Sequence, residues 1–341
     1  MEKCVQCGLP FPIVEKGYLF ISINSVRLFE LRKLLQNGEV LDENLLSIPY
    51  QSKAMLLRLV STIETNIGND VMTYVSRHNI QISRPMIPLT VLKERIEQED
   101  IVEFIAKGKF ISHFQPIIQL SDQSIYGYES LLRSGDANFN ATPGQLFGVA
   151  SKTGLFSLLD QKAREVAVKT RVNTIPAGVK SFINFLPSTI YNPEFCLRHT
   201  FSIVERYQVA PGDLVFEVVE TEKIEDVDLL KRILQTYKAS GMKVALDDVG
   251  TGFATLDMLK KLAPDYVKID RQYISYCDQD KQKQDFLKQV MVIANGMGIK
   301  VLGEGIERQE ELDYCRIIGM HLAQGFYIGK PSPKPVENIL I

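Results

Sequence analysis

The chain has 341 residues, 45% of them hydrophobic and 23% charged, with a formal net charge of −2. That balance excludes a basic field for a duplex nucleic-acid backbone and a polybasic anchor for a membrane surface. Apolar runs such as AMLLRLV and VMVIANGMGI fall far short of the roughly 20 residues a spanning helix needs, and five thinly spread cysteines argue against a disulfide framework. The N-terminal MEKCVQCGLPF carries an acid and no apolar core segment, so no secretory signal is expected. The expectation is a soluble, cytoplasmic protein.

In chain order, residues 1–95 show helical patches at SVRLFELRKLLQ, AMLLRLVSTIET and DVMTYVSRH, one possible strand at YLFISIN, and a Pro-marked linker at ISRPMIPLT. This predicts a small, mainly helical N-terminal region. Cys4 and Cys7 have zinc-knuckle spacing, yet His78 is the only further candidate ligand in the region, so they read as two free thiols. From about residue 98, β-rich runs alternate with amphipathic ones, the pattern of βα units around a parallel sheet. The strands are expected at FISHFQPII, YGYESLL, SFINFLP, DLVFEVVE, KVALDDV, YVKID, KVLGEGI and AQGFYIG. Helices are expected at LLDQKAREVAVKTRV, DVDLLKRILQTYKASG, TLDMLKKLA, DFLKQVMVIANGMG and RQEELDYCRIIG, several stopped by Gly. Eight such strands fit a (β/α)8 barrel, and an open doubly wound sheet fits the alternation nearly as well. Cys196, Cys277 and Cys315 read as packing residues without partners. His113, His199 and His321 are too scattered to suggest a nucleophilic site.

Nearly every strand is apolar along its length and turns polar near its C-terminal end, at Glu129, Asn184, Glu217, Asp247 with Asp248, Lys268, Glu304 and Gln324. In a parallel α/β fold these ends converge on the face that carries the active site. Like charges at close range raise one another's pKa, so this set is expected to hold cations. All-oxygen donors without Cys or His suit Mg²⁺ or Mn²⁺, and adjacent aspartates suit a two-metal site for in-line phosphoryl displacement. Lys268 stands among them as a cation that can hold a water or a phosphate oxygen, with Asp270 two residues on to orient it. GTGFAT, from Gly250 to Thr255, lacks the third glycine of a dinucleotide-binding turn and follows two carboxylates, so that reading is rejected.

Together these segments resemble the EAL domain, a family of bacterial cyclic di-GMP phosphodiesterases, over about residues 98 to 341. FQPII, YESLLR, INFLPS, FEVVETE, LDDVGTGFATL, VKID, GEGIE and AQGFYIGKP stand in the family's order. The resemblance implies a modified (β/α)8 TIM-like barrel with its first strand antiparallel, spanning 96–341 behind an N-terminal region of 1–95. It implies Glu129, Asn184, Glu217, Asp247 and Asp248 as metal ligands. Gln115, Arg133, Glu307 and Gln324 become substrate contacts. Glu304, Lys268, Asp270 and Glu220 become the catalytic group, Glu304 holding or deprotonating the attacking water and Glu220 pinning the loop of the paired aspartates. The reaction implied is hydrolysis of cyclic di-GMP to linear pGpG with Mg²⁺ or Mn²⁺, in a homodimer. Ser130, Val249 and Gly303 replace an alanine, an aromatic and an alanine of the family pattern without removing a ligand. A catalytically silent cyclic di-GMP receptor or protein-binding regulator is the first alternative. A barrel metalloenzyme acting on another phosphate ester or an enolisable carbonyl is the second. Residues 1–95 hold no GGDEF-like motif, so a cyclase is not expected; a regulatory, dimerisation or partner-binding role is.

Overall fold

The computed structural model describes residues 12–35, 37–79, 85–219, 226–250, 255–337 and 339. Its contacts form two compact units, one running up to Lys109 and including Asp136–Leu159, the other comprising Phe110–Gly135 with Asp160–Ile341.

The first unit contains β1 (Gly17–Ser22), α1 (Ser25–Leu34), β2 (Glu39–Asp42), β3 (Leu45–Tyr50), α2 (Lys53–Ile67), β4 (Met72–Ser76), β5 (Ile87–Pro88), α3 (Leu89–Glu97), α4 (Glu99–Lys107) and α5 (Pro143–Lys152). The strands pair antiparallel in the order β2-β3-β1-β4-β5. Strand alternation sends Leu19 and Ile21 to one face, where they pack with Leu46, Ile48 and the helical Leu56, Val60 and Ile63. It sends Phe20 to the other, stacked on Tyr74 at 4.3 Å between ring centroids. The expected helical patches at 25–36 and 54–65 become α1 and α2. The expectation for DVMTYVSRH is corrected: its Thr73, Tyr74 and Val75 are buried in β4, paired to β1. Tertiary pairing overrides a pattern that reads equally well at either period. With the β2–β3 hairpin, the region is built on a sheet rather than on helices alone. Cys4 and Cys7 lie outside the described residues.

The second unit contains β6 (Phe110–Gln119), β7 (Ile125–Ser134), α6 (Phe156–Arg171) from Asp160 on, β8 (Lys180–Phe185), α7 (Pro193–Cys196), α8 (Arg198–Arg206), β9 (Leu214–Val218), α9 (Val227–Ala239), β10 (Lys243–Val249), α10 (Leu256–Leu262), β11 (Tyr266–Ile269), α11 (Arg271–Ile274), α12 (Lys281–Met297), β12 (Lys300–Gly303), α13 (Gln309–Ile317) and β13 (Leu322–Ala323). The eight strands β6 to β13 close into a barrel, which decides between the two α/β expectations. β6 runs antiparallel to both neighbours, β7 and β13; the other neighbouring pairs are parallel. Caps delimit the helices. Asp226 accepts from Leu229 N before α9, and Asp280 from Gln282 N and Lys283 N before α12. Gly298, at φ 68°, ends α12 in the left-handed region.

Inside the barrel an apolar plug of Ile117, Phe182, Val215, Ala245, Tyr266, Leu302 and Leu322 draws one buried residue from nearly every strand. A pleat repeats every two residues, so one step up the same strands come Asn184, Glu217, Asp247, Lys268, Glu304 and Gln324, and one step back along the reversed β6 comes Gln115. Opposite Ile117 and Ile118 of β6 the register of β7 slips, leaving Tyr126 without an opposite partner. That bulge lets Tyr126 reach the plug while Glu129, three residues on rather than two, still faces inward. Tyr126 OH and Tyr266 OH are 2.7 Å apart at the base of the plug.

Outside the sheet, Asp213 ties β8, α6 and the turn before β9 together. Its carboxylate takes hydrogen bonds from Arg171 at 2.8 Å, Gly178 N at 2.9 Å and Lys180 at 3.2 Å. Burial works against the ionised form, but these donors win and hold its carboxyl below the ordinary value. Its stabilisation is therefore complete at neutral pH and fades as pH falls from the ordinary aspartate range through that depressed pKa. Asp213→Ala strands the buried Arg171 guanidinium and is expected to cost about 3–5 kcal/mol in urea unfolding at neutral pH. An unchanged unfolding midpoint would contradict this role.

Candidate active site

At the C-terminal mouth of the barrel, Lys268 is 1% exposed and its ammonium sits among four carboxylates. Glu304 Oε1 lies 2.8 Å away, Glu217 Oε1 3.0 Å, Asp247 Oδ1 3.2 Å and Glu129 Oε2 4.0 Å. Burial alone would strip its proton, but the four acids outweigh burial and raise its pKa well above the ordinary lysine value. Glu129 accepts from Asn184 Nδ2 at 2.9 Å and from Gln324 Nε2 at 2.7 Å. Burial opposes its ionisation, yet Lys268, these two amides and Arg133 keep its carboxyl below the usual range. Burial pushes Glu217 and Glu304 well above theirs against the pull of Lys268, with the neighbouring acids adding to the rise.

Strand alternation should turn Asp247 and Asp248 to opposite faces. The register between β10 and β11 shifts between Leu246 and Val249, and Asp248 takes a left-handed φ of 53°. This bulge brings both carboxylates to the mouth, where one oxygen each from Asp247, Asp248 and Glu304 lie within 4.8 Å of one another. Asp248 N donates to Asp247 Oδ1 at 3.0 Å, which helps hold the turn.

These residues fit a hard divalent cation. Glu217 Oε1 is met by the Lys268 ammonium at 3.0 Å, while the Oε2 of this fully buried residue and the Oε1 of Gln324 have no hydrogen-bond donor among the described residues. A buried acceptor in that state is costly unless a cation satisfies it. Together with Glu129, Asn184, Asp247 and Asp248, the donors are all oxygen.

A cavity of about 180 Å³ opens over the cluster, lined by Gln115, Glu129, Glu304, Glu307 and Gln324, and also by Arg271 and Phe326. Gln115 donates from Nε2 to Gly329 O at 3.3 Å. Arg133 is half-buried on β7, lies outside that lining and donates to Leu132 O at 2.7 Å. Asp270 stands past the end of β11, where its Oδ1 caps α11 by accepting from Gln272 N at 2.8 Å; the ammonium of Lys268 is met by the four acids above instead. Glu220 lies outside the described residues. Arg271 and Phe326 were not singled out from sequence; the usable signal was their position directly after VKID and within AQGFYIG. Cys196, Cys277 and Cys315 are free, buried thiols packed in the barrel core, as read from sequence, and the Cys277 and Cys315 thiols interact so that the Cys277 pKa is lowered and that of Cys315 raised.

The three departures have local accounts. A Cβ on Gly303 would stand 3.3 Å from Ile274 Cδ1 and Met320 Sδ, and 3.5 Å from Cys315 Sγ, so these side chains fill the space an alanine would use. Val249 is fully buried in the core around β10 and β11. Ser130 is buried with its Oγ unpaired among the described residues.

A closed barrel with one reversed strand and a ring of oxygen donors around a buried lysine defines an α/β-barrel protein with a cation-seeking mouth. The model of the EAL domain family matches residues 98–331, and the chain belongs to that family. It is 30% identical over 248 residues to "Probable cyclic di-GMP phosphodiesterase PdeG" of Escherichia coli K12, covering 70% of this chain and 48% of that protein. It is 25% identical over 238 residues to the bifunctional diguanylate cyclase/cyclic di-GMP phosphodiesterase MucR of Pseudomonas aeruginosa, covering 69% and 35%. The chain thus spans about half or less of these relatives' length. The c-di-GMP-bound form of a standalone EAL protein from Vibrio cholerae O395 superposes with a TM-score of 0.60 at 32% identity, over 67% of this chain and 94% of that one. Among the described residues no helix is long and apolar enough to cross a membrane.

Replacing the buried cation tests the cluster. Lys268→Met leaves Glu217, Asp247 and Glu304 facing one another, and is expected to cost about 3–5 kcal/mol at neutral pH with chelator present. Carboxyls whose folded pKa is raised bind more protons in the native state, so the variant should regain stability as pH falls toward their titration range. Denaturant melts across pH read this directly. A pH-independent loss would contradict the charge account.

Proposed function

We propose that this chain is a metal-dependent phosphodiesterase that hydrolyses one 3′–5′ phosphodiester of cyclic di-GMP to linear pGpG. The single observation that carries the reading is the convergence of Glu129, Glu217, Asp247 and Glu304 on the Lys268 ammonium, with Asn184 on Glu129 and Asp248 beside Asp247 and Glu304. Family membership supplies the substrate, since the relatives' names and the V. cholerae structure concern cyclic di-GMP. A receptor that had lost catalysis would be expected to lack part of this donor set.

Glu129, Asn184, Glu217, Asp247 and Asp248 would hold Mg²⁺ or Mn²⁺, which when bound offsets charge on the phosphoryl oxygens and activates water at neutral pH. The chain's own groups do the rest. Lys268 fixes Glu304, Glu217 and Asp247 in one constellation, so the reacting groups need no reorganisation when substrate arrives. Glu304 sits at the open side of that constellation and lines the cavity, where its carboxylate holds the attacking water and takes its proton. Gln115, Glu307 and Gln324 line the same cavity and orient the dinucleotide. Arg133 contributes positive charge on the adjoining strand. The N-terminal region over 1–95 carries its own core and would serve regulation or dimerisation of the EAL portion over 96–341, in a cytoplasmic homodimer.

Glu304→Gln keeps the side chain's size and removes the proton acceptor. Turnover of cyclic di-GMP, followed by chromatography of pGpG with Mn²⁺ and with chelator, should be metal-dependent in the wild type and fall at least about a hundredfold in the variant. Nucleotide affinity should change by less than about threefold. Binding without turnover in the wild type would establish a receptor instead.

A further inference from the structure

The mouth described above poses an electrostatic difficulty for an anionic substrate. Glu129, Glu304 and Glu307 line the cavity, with Asp247 and Asp248 beside them. Lys268 is wholly buried and engaged by four carboxylates, so it has no reach toward the opening. Among the described residues that line the cavity, the one cation is Arg271.

Its position is built rather than incidental. The side chain is 59% exposed, yet its Nη2 is held 2.9 Å from Glu307 Oε2 at the cavity edge. Its stem runs across Gly305, which has a left-handed φ of 68°. A Cβ at that position would come within 2.5 Å of Arg271 Cγ and 2.6 Å of its Cβ. Only glycine therefore lets the arginine lie flat along this backbone. The segment is fixed from the other side as well: Ile306 N donates to Gln324 O at 3.1 Å, and Tyr327 N to Ile306 O at 3.0 Å. A guanidinium presents five donors in a planar fork matched to two oxygens of a phosphate, and Glu307 occupies only one of them.

Resting on the phosphodiesterase reading, we propose that Arg271, laid over Gly305 and steadied by Glu307, is a substrate-binding residue that captures a phosphate group of the dinucleotide at the rim of the cavity. Its work is recognition, not chemistry: it draws an anion past a ring of acids and hands it to the groups around Lys268. Such a contact is exposed, so it weakens as salt rises.

The test uses the full chain and cyclic di-GMP, with wild type, Arg271→Ala and Arg271→Lys compared for melting temperature, steady-state kinetics with Mn²⁺, and calorimetric nucleotide binding with chelator. The alanine variant should raise both KM and Kd about tenfold, the loss of one charge-assisted contact, with kcat within about threefold. The lysine variant should recover part of the loss, and the salt dependence of KM should flatten in the alanine variant alone. Unchanged KM and Kd in a folded alanine variant of an active enzyme overturn the assignment, as does a fall confined to kcat. A wild type that neither binds nor hydrolyses the dinucleotide removes the underlying phosphodiesterase reading instead.

Discussion

A single buried ammonium organises the functional half of this molecule. Lys268 is brought to the middle of the barrel mouth by the short strand β11, and four carboxylates reach it from β7, β9, β10 and the end of β12. The desolvation of that many charges is tolerable only because each opposes another. One lysine cannot balance Glu129, Glu217, Asp247, Asp248 and Glu304 together. Burial, with the neighbouring acids adding to it, pushes the carboxyls of Glu217 and Glu304 well above their ordinary range. Divalent cations would complete what Lys268 begins.

Two irregularities of the sheet make the constellation possible. A perfectly regular barrel would send Tyr126 and Glu129 to opposite faces, and likewise Asp247 and Asp248. The slip opposite Ile117 and Ile118 admits the first pair, and the slip between Leu246 and Val249, with a left-handed Asp248, admits the second. Bulges of this kind bend a strand and re-aim its side chains, at the expense of a ladder hydrogen bond. Below them the plug of Phe182, Val215, Ala245, Tyr266 and Leu302 fixes the level from which the polar step is counted.

Much of this was legible in the sequence because strand ends carry a simple signature. Apolar runs that turn polar at Asn184, Glu217, Asp247, Lys268 and Glu304 mark both the strands and the face they share, and the two-residue pleat makes that signature reliable. Closure of the barrel was not legible, since alternation of strand and helix is common to open and closed sheets. The N-terminal unit was read less well. Thr73, Tyr74 and Val75 lie within a segment whose apolar spacing suits a helix, and the pairing of β4 with β1 and β5 makes it a strand. Asp270 shows the limit of counting by two, because the strand has already ended when the chain reaches it. Arg271 escaped notice for a different reason: its significance depends on Gly305, distant in sequence and meaningful only through its backbone conformation.

The central claim is that the acids around Lys268 form a divalent-cation site rather than a merely structural ion-pair network. Calorimetric titration of the full chain with Mn²⁺, beside Asp247→Asn, measures this most directly. The account predicts saturable binding in the wild type, at a stoichiometry consistent with a two-metal site, and its weakening by at least about tenfold when Asp247 loses its charge. Absence of saturable binding, or binding indifferent to Asp247, would contradict it.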